Sequence, residues 1–334
     1  MRKKINIFRK YNCNKKLYNL AKKNSGFTLI ELLVAMILAT LVITPLLGFM
    51  INILDTDRKE QAKVNSEQEV QTAVDYIAQD LQQAIYIYDA EGIKAIKAQL
   101  PYKSDKDKVP VLVFWTRTLE KEAINIKVDK DSVGSNDTFV YSLVAYYLIQ
   151  GTNNDNTWSN QFRIARFELK DGIRNLEDRY DNNGNVKYIK EPDDGFALFK
   201  LNDPKVKGTL EQKMNKWEKG SKPYKLNNIA TLVDYIDASQ ISTANKKELS
   251  PDCSTVFDID NQKAKVPSSS NTILDNGSFY ACVDVDRVSA KIFIRGNAYA
   301  RLNDKNNSFD KSRQTFFPTA SIQINGKGLI RLSN

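Results

Sequence analysis

Lys22-Lys23-Asn24-Ser25-Gly26-Phe27-Thr28-Leu29-Ile30-Glu31 opens an apolar run that reaches Leu54 with Glu31 as its only charge. The run from Phe27 to Leu54 is 28 residues long. As a helix it spans roughly 42 Å at about 1.5 Å per residue, enough to cross a bilayer with tilt. An unpaired carboxylate in such a helix costs on the order of 2.5–3.5 kcal/mol on insertion scales. Glu31 therefore calls for a partner, and a positive amine is the obvious one. A plain membrane anchor is the simplest alternative reading.

The string Ser25-Gly26-Phe27-Thr28-Leu29-Ile30-Glu31-Leu32-Leu33-Val34-Ala35, behind a basic leader, resembles the class III signal of type IV pilins and type II secretion pseudopilins. The resemblance implies cleavage after Gly26 by a membrane-embedded prepilin peptidase and N-methylation of Phe27, the new amino terminus. It also implies that Glu31 docks each subunit into a growing filament. The implied partners are other pilin or pseudopilin subunits, the prepilin peptidase, an inner-membrane assembly platform and the membrane itself. The implied location is the inner (cytoplasmic) membrane, single-pass with the C-terminal head outside the cytoplasm, and then a pilus or periplasmic filament.

Residues 1–26 hold nine basic groups and no acidic one, so the formal charge of +9 belongs wholly to this leader. After a cut at Gly26 the chain carries 40 basic and 40 acidic residues. A basic pI is thus no argument for nucleic acid, and none is expected as a partner. Lys and Arg beside a membrane segment stay cytoplasmic, which sends the C-terminal part outward. A Sec signal peptide fits less well, since its apolar core is about 7–15 residues and ends in an A-x-A-like site. Pro45 lies deep in the apolar run with Gly48 three residues later. Proline removes one i to i−4 hydrogen bond, so the sequence predicts a helix break at Pro45, a kink or unwound stretch over Leu41–Pro45.

From Leu54 to Gly92 there is no Gly or Pro, and Val64, Val70, Val74, Ile77, Leu81, Ala84, Ile85 and Tyr88 fall near helical spacing. That pattern predicts an amphipathic helix with one buried stripe, so that Phe27 to about Tyr88 forms one long helix. After Gly92 come short runs rich in β-branched and aromatic residues: 109–119, 138–150, 161–170, 279–284, 288–295 and 320–325 read as strands. Leu329–Leu332 is a candidate last edge, and Thr231–Ile236 reads as a short helix or strand. The expected fold class is α+β, type IV pilin-like, with a long N-terminal helix, half membrane and half amphipathic, packed on an antiparallel β-sheet head. The expected organisation is a leader over 1–26, a transmembrane and assembly helix over 27–54, an amphipathic helix over 55–90 and a β-rich head over 91–334, with room for one large head or two sheet lobes.

Cys13 leaves with the leader, and Cys253 and Cys282 remain as an even pair. Outside the cytoplasm a disulfide is the simplest reading, with two buried free thiols as the alternative. The chain has no His, which excludes Ser-His-Asp and Cys-His catalysis and His-ligated metals. No catalytic residue, metal or cofactor is expected. Asp284 with Asp286 on one strand face, and Asp193 with Asp194, are candidate carboxylate pairs, but solvated surface is the ordinary reading of such neighbours. Asp181-Asn182-Asn183-Gly184-Asn185 begins like a calcium loop, yet its Gly comes two positions early and Pro192 stands at the twelfth position, so a polar hairpin turn is expected. No G-x-x-x-x-G-K-[ST] motif is present. Phe114-Trp115, Tyr141, Tyr146-Tyr147, Trp158, Trp217 and Phe316-Phe317 are candidates for a binding surface but read mainly as core, with at most one of Tyr146 and Tyr147 buried if only one sheet face is covered.

A narrower resemblance lies in Val288–Ala298, Phe316–Ala320 and Asp75–Leu81. These strings are similar to a cyanobacterial pseudopilin group linked to hormogonium polysaccharide secretion, and more broadly to minor pilins of the PilW and PulJ type. That resemblance implies a non-enzymatic minor filament subunit supporting motility and polysaccharide secretion. The alternatives are a membrane-anchored extracytoplasmic protein that binds an envelope polysaccharide and, with weaker support, an anchored hydrolase using two carboxylates.

Overall fold

The computed structural model describes residues 26–128, 131–152, 157–176, 178–203, 207–225, 229–240, 252–268, 274–303, 307–328 and 330. Residues 1–25 of the leader, Cys13 among them, and most of the candidate edge at Leu329–Leu332 lie outside these residues. The chain divides into two compact units, Met1–Asp55 and Thr56–Asn334.

Helix α1 runs over Leu29–Gln82 and contributes to both units. In the first unit its apolar side chains are exposed, from Leu29 to Leu54. The segment is long and apolar enough to cross a membrane. It stays helical through Pro45, so the chain is not unwound over Leu41–Pro45. One missing amide bond is a small loss among the unbroken bonds on either side, and membrane helices tolerate it where neighbouring groups compensate. The carbonyl that Pro45 deprives of an amide is that of Leu41; the nearby threonine hydroxyls bond elsewhere, Thr44 to the Thr40 carbonyl at 2.8 Å and Thr40 to the Ile37 carbonyl at 2.9 Å.

In the second unit α1 buries Ala62, Ser66, Val70, Ala73, Val74, Ile77, Ala78 and Leu81, one face at helical spacing. Val64 is not on it: at 48% exposure it faces solvent, and the small residues Ala62 and Ser66 occupy the buried line instead. The helix also stops at Gln82 rather than near Tyr88. Ala84–Tyr88 is buried at every position. A helix with one covered stripe cannot bury five consecutive residues, whereas a strand covered on both faces can. Ala84–Ile87 is accordingly β1, antiparallel to β2 (Lys108–Val128).

The main sheet has the order β1-β2-β3-β4-β7, with β3 at Asp131–Ile149, β4 at Phe162–Lys170 and β7 at Ile229–Ile236. All its neighbours are antiparallel, and Thr231–Ile236 resolves as strand. A second sheet orders β11 (Thr319–Asn325), β10 (Ser289–Arg295), β9 (Phe279–Asp284) and β8 (Lys265–Val266). A two-stranded sheet joins β5 (Ile173–Arg174) to β6 (Tyr188–Lys190). Short helices α2 (Ala90–Ile96), α3 (Leu210–Met214), α4 (Ser254–Phe257) and α5 (Asn261–Ala264) fill the connections. The architecture is α+β, an antiparallel sheet head behind a long N-terminal helix.

Both faces of the main sheet are covered, which is why Tyr146 and Tyr147 are both fully buried. Tyr146 points to α1, where its hydroxyl donates to Asp80 Oδ2 at 2.6 Å. Tyr147 points the other way and donates to the Pro101 carbonyl at 3.2 Å. On that second face Trp115 meets the rings of Phe196, Phe199 and Trp217 edge-on. Trp158 is the partly exposed exception among the tryptophans, at 37%. The two larger sheets share one apolar core, which includes Val70, Ile77, Tyr146, Ala281 and Ile292.

Candidate functional site

The segment that decides the fold also presents the chemistry. Gly26, Phe27 and Thr28 precede α1, and Phe27 is 80% exposed. A Cβ added at Gly26 would meet nothing within 4 Å, so packing inside the chain places no demand for glycine there. Thr28 caps the helix. The Glu31 amide donates to Thr28 Oγ1 at 3.3 Å, and the Thr28 hydroxyl makes a long contact of 3.5 Å to Glu31 Oε2. Thr28-Leu29-Ile30-Glu31 thus has the spacing of a capping box, with Glu31 at the third helical position. A carboxylate in the first turn also suits the positive end of the helix dipole. Sequence reasoning about Glu31 as a lone charge missed this second role, although Thr-x-x-Glu ahead of an apolar run is its ordinary signal.

Within the head, the other strings singled out by sequence hold elements together. Asp80 Oδ2 accepts from Arg166 Nε at 2.6 Å as well as from Tyr146, and Arg166 Nη1 donates to Glu168 Oε2 at 2.8 Å. This partly buried chain clips α1 to β3 and β4. Burial pushes the Tyr146 phenol far up, and Asp80 beside it adds to the effect. Burial also favours the neutral form of Glu168, but the Arg166 guanidinium overrides it and holds the carboxyl below its usual range.

Arg295 and Asp237 form a fully buried ion pair at 2.8 Å that ties β10 to the end of β7. The remaining Arg295 nitrogens donate to the carbonyls of Gly277 and Asn276, and the Asp237 amide donates to the Arg295 carbonyl at 3.0 Å. Asn297 extends the joint, its Nδ2 donating to Gln161 Oε1 at 3.0 Å and its amide to the Tyr235 carbonyl at 2.7 Å. Between them, the Gly296 amide donates to the Pro318 carbonyl at 2.8 Å, which brings in the Phe316–Ala320 string. A Cβ at Gly296 would lie 2.8 Å from Val70 Cγ2 and 3.0 Å from Ser66 Oγ, so α1 rests directly on this backbone.

Cys253 and Cys282 form a disulfide with Cα atoms 5.4 Å apart, tying the residue before α4 to β9. The candidate carboxylate pairs do not form. β9 ends at Asp284, whose carboxylate pairs with Arg287 at 3.2 Å, and Asp286 follows in the turn. Asp193 accepts from the Lys170 amide at 2.8 Å, while Asp194 faces Lys225 at 2.8 Å. Asp181 folds its own turn, accepting from the amides of Asn183 and Asn185, both at 2.8 Å. Asp89 caps α2 through the Gly92 amide at 2.8 Å, and burial raises its carboxyl. Lys263 stands 3.8 Å from Asp89 and 3.1 Å from Glu211. Among the described residues no group of three or more Cys, Asp or Glu is placed to hold a metal ion.

Residues 21–47 match the family model of the prokaryotic N-terminal methylation motif. No curated protein and no solved structure matches the chain.

Proposed function

We propose that this chain, type IV pilin-like by its N-terminal methylation motif, is a minor pilin or pseudopilin, a structural rather than catalytic subunit of a type IV pilus or related secretion filament. The observation that carries the reading is the coincidence of that motif with an exposed, membrane-length helix whose only ionisable group down to Leu54 is Glu31. The finer assignment, to a machine serving motility and polysaccharide secretion, rests on the three short strings at Asp75–Leu81, Val288–Ala298 and Phe316–Ala320.

The mechanism follows from charge. The leader holds the precursor with its basic side in the cytoplasm, and α1 keeps the subunit in the bilayer as a reservoir. Cleavage after Gly26 by the prepilin peptidase removes nine positive groups and creates an amine at Phe27, which is then methylated. That amine sits just ahead of the Thr28 cap, at the positive end of the helix dipole, where a cation is disfavoured by about 0.3–1 kcal/mol. A carboxylate from a neighbouring subunit relieves this cost, and Glu31 supplies one in an apolar surrounding where an ion pair is little screened. Bundled helices then replace lipid around the residues from Leu29 to Leu54 that are exposed in the isolated chain.

Glu31→Ala is expected to insert in the membrane and be cleaved normally but to fall to a few per cent of wild-type level in sheared filaments, read by immunoblot. Wild-type incorporation of this variant would sink the assembly role.

A further inference from the structure

Where β1 ends, β2 and β3 run on together as a two-stranded ribbon, paired from Arg117↔Tyr141 out to Val128↔Asp131. β1 pairs with β2 as far as Thr116 and β4 pairs with β3 from Ser142. One further backbone bond follows on each edge, from the Arg117 amide to the Gln83 carbonyl and from the Asp171 amide to the Tyr141 carbonyl, and beyond them no strand among the described residues flanks the ribbon. At its root lies a groove of about 540 Å³ walled by Phe139, Tyr141, Phe199 and Leu201, with Arg117 and Lys327 as its two cations. Phe139 is 48% exposed, and the Arg117 guanidinium carbon stands over its ring, 3.6 Å from the centroid. No carboxylate lines the groove among the described residues, and neither cation forms an ion pair among them.

The same chain presents the complementary surface. From Val64 to Gln82, α1 carries Glu67, Glu69, Asp75 and Asp80 and no basic residue. Two of the four are committed within the head, Glu69 to Arg301 and Asp80 to Arg166. Glu67 and Asp75 point to solvent on one stripe with the exposed Val64, Gln68 and Gln71. These positions follow the i, i+3, i+4, i+7 spacing with which a helix lies in a groove. Eight residues separate the two acids, about 12 Å along the axis at 1.5 Å per residue.

We infer that the groove of one copy receives the acidic stripe of α1 of a second copy, Arg117 and Lys327 facing Glu67 and Asp75 while Val64 enters the aromatic wall. The two surfaces differ, so the contact is heterologous and repeats as an open helical array rather than closing as a symmetric dimer. Two adjacent copies suffice, so the chain need not be an abundant subunit. The contact is separate from the one at Glu31, and rim charges make it sensitive to salt.

The test uses the full chain bearing two different tags, co-expressed, with Glu31→Ala in every copy so that the N-terminal contact is removed. In mild detergent at low ionic strength, one tag is expected to pull down the other. Arg117→Glu with Lys327→Glu in all copies should cut that recovery at least tenfold, and adding Glu67→Lys with Asp75→Lys should restore it. No recovery between copies with native surfaces, recovery unchanged by the groove reversal, or failure of the second reversal to restore it would each overturn the contact. Because processing at Phe27 is read separately by mass, a failed contact and a failed assignment as a filament subunit give different results.

Discussion

Gly296 shows how one residue sets the distance between α1 and the head. Its backbone is not in the left-handed region, so the demand for glycine is spatial: a methyl group there would strike Val70 and Ser66. Gly296→Ala is expected to cost about 1–3 kcal/mol by overpacking. Combining it with Val70→Ala, which removes the nearer obstacle, should cost less than the sum of the two single changes, as urea denaturation of each variant would reveal. Glu168 gives a second residue-level expectation. Its folded-state pKa lies below the unfolded value because of Arg166, so its contribution is present above the ordinary glutamate value of about 4.3 and lost as the pH falls through the lowered one. Glu168→Gln should flatten the acid limb of the stability profile below that value and leave its alkaline side unchanged.

At the scale of elements, the strands and their order of appearance are legible because each is a short β-branched and aromatic run bounded by polar turns. β4, β9, β10 and β11 fall where such runs predict them. β2 runs on to Val128 and β3 starts at Asp131, well outside the predicted 109–119 and 138–150, because the added stretch is polar and only its mutual pairing makes it strand. The turn from α1 to β1 is not legible, because Ala84–Tyr88 continues the apolar spacing of the helix and only pairing with the distant β2 decides against it. Tyr146 and Tyr147 fail for a related reason: whether a sheet is covered on one face or two depends on segments such as Phe196–Trp217 that carry no clear pattern of their own. Pro45 does not unwind the helix, because a proline acts locally while the helix around it is long. The disulfide was readable from cysteine count and compartment, and it closes a separation of 29 residues. Cys253→Ser with Cys282→Ser should destabilise the head by about 3–4 kcal/mol in the chain-entropy model, seen as a fall in Tm.

For the whole molecule, the candidate site was legible almost entirely in ten residues, because a lone carboxylate in a membrane-length helix is costly enough to need a function. What those residues could not convey is the head, whose buried joint at Arg295–Asp237 and partly buried joint at Asp80–Arg166 bring together segments far apart in sequence. The first joint ties β10 to the end of β7 and the second ties α1 to β4, which draws both larger sheets and the second half of α1 onto one core. The central claim is that the precursor is cut and modified to make the amine that Glu31 receives. Mass spectrometry of the N-terminal peptide from membranes measures this directly. The account predicts a chain beginning at Phe27 with one added methyl group on its amine; an intact leader, or a mature end at any other residue, would contradict it.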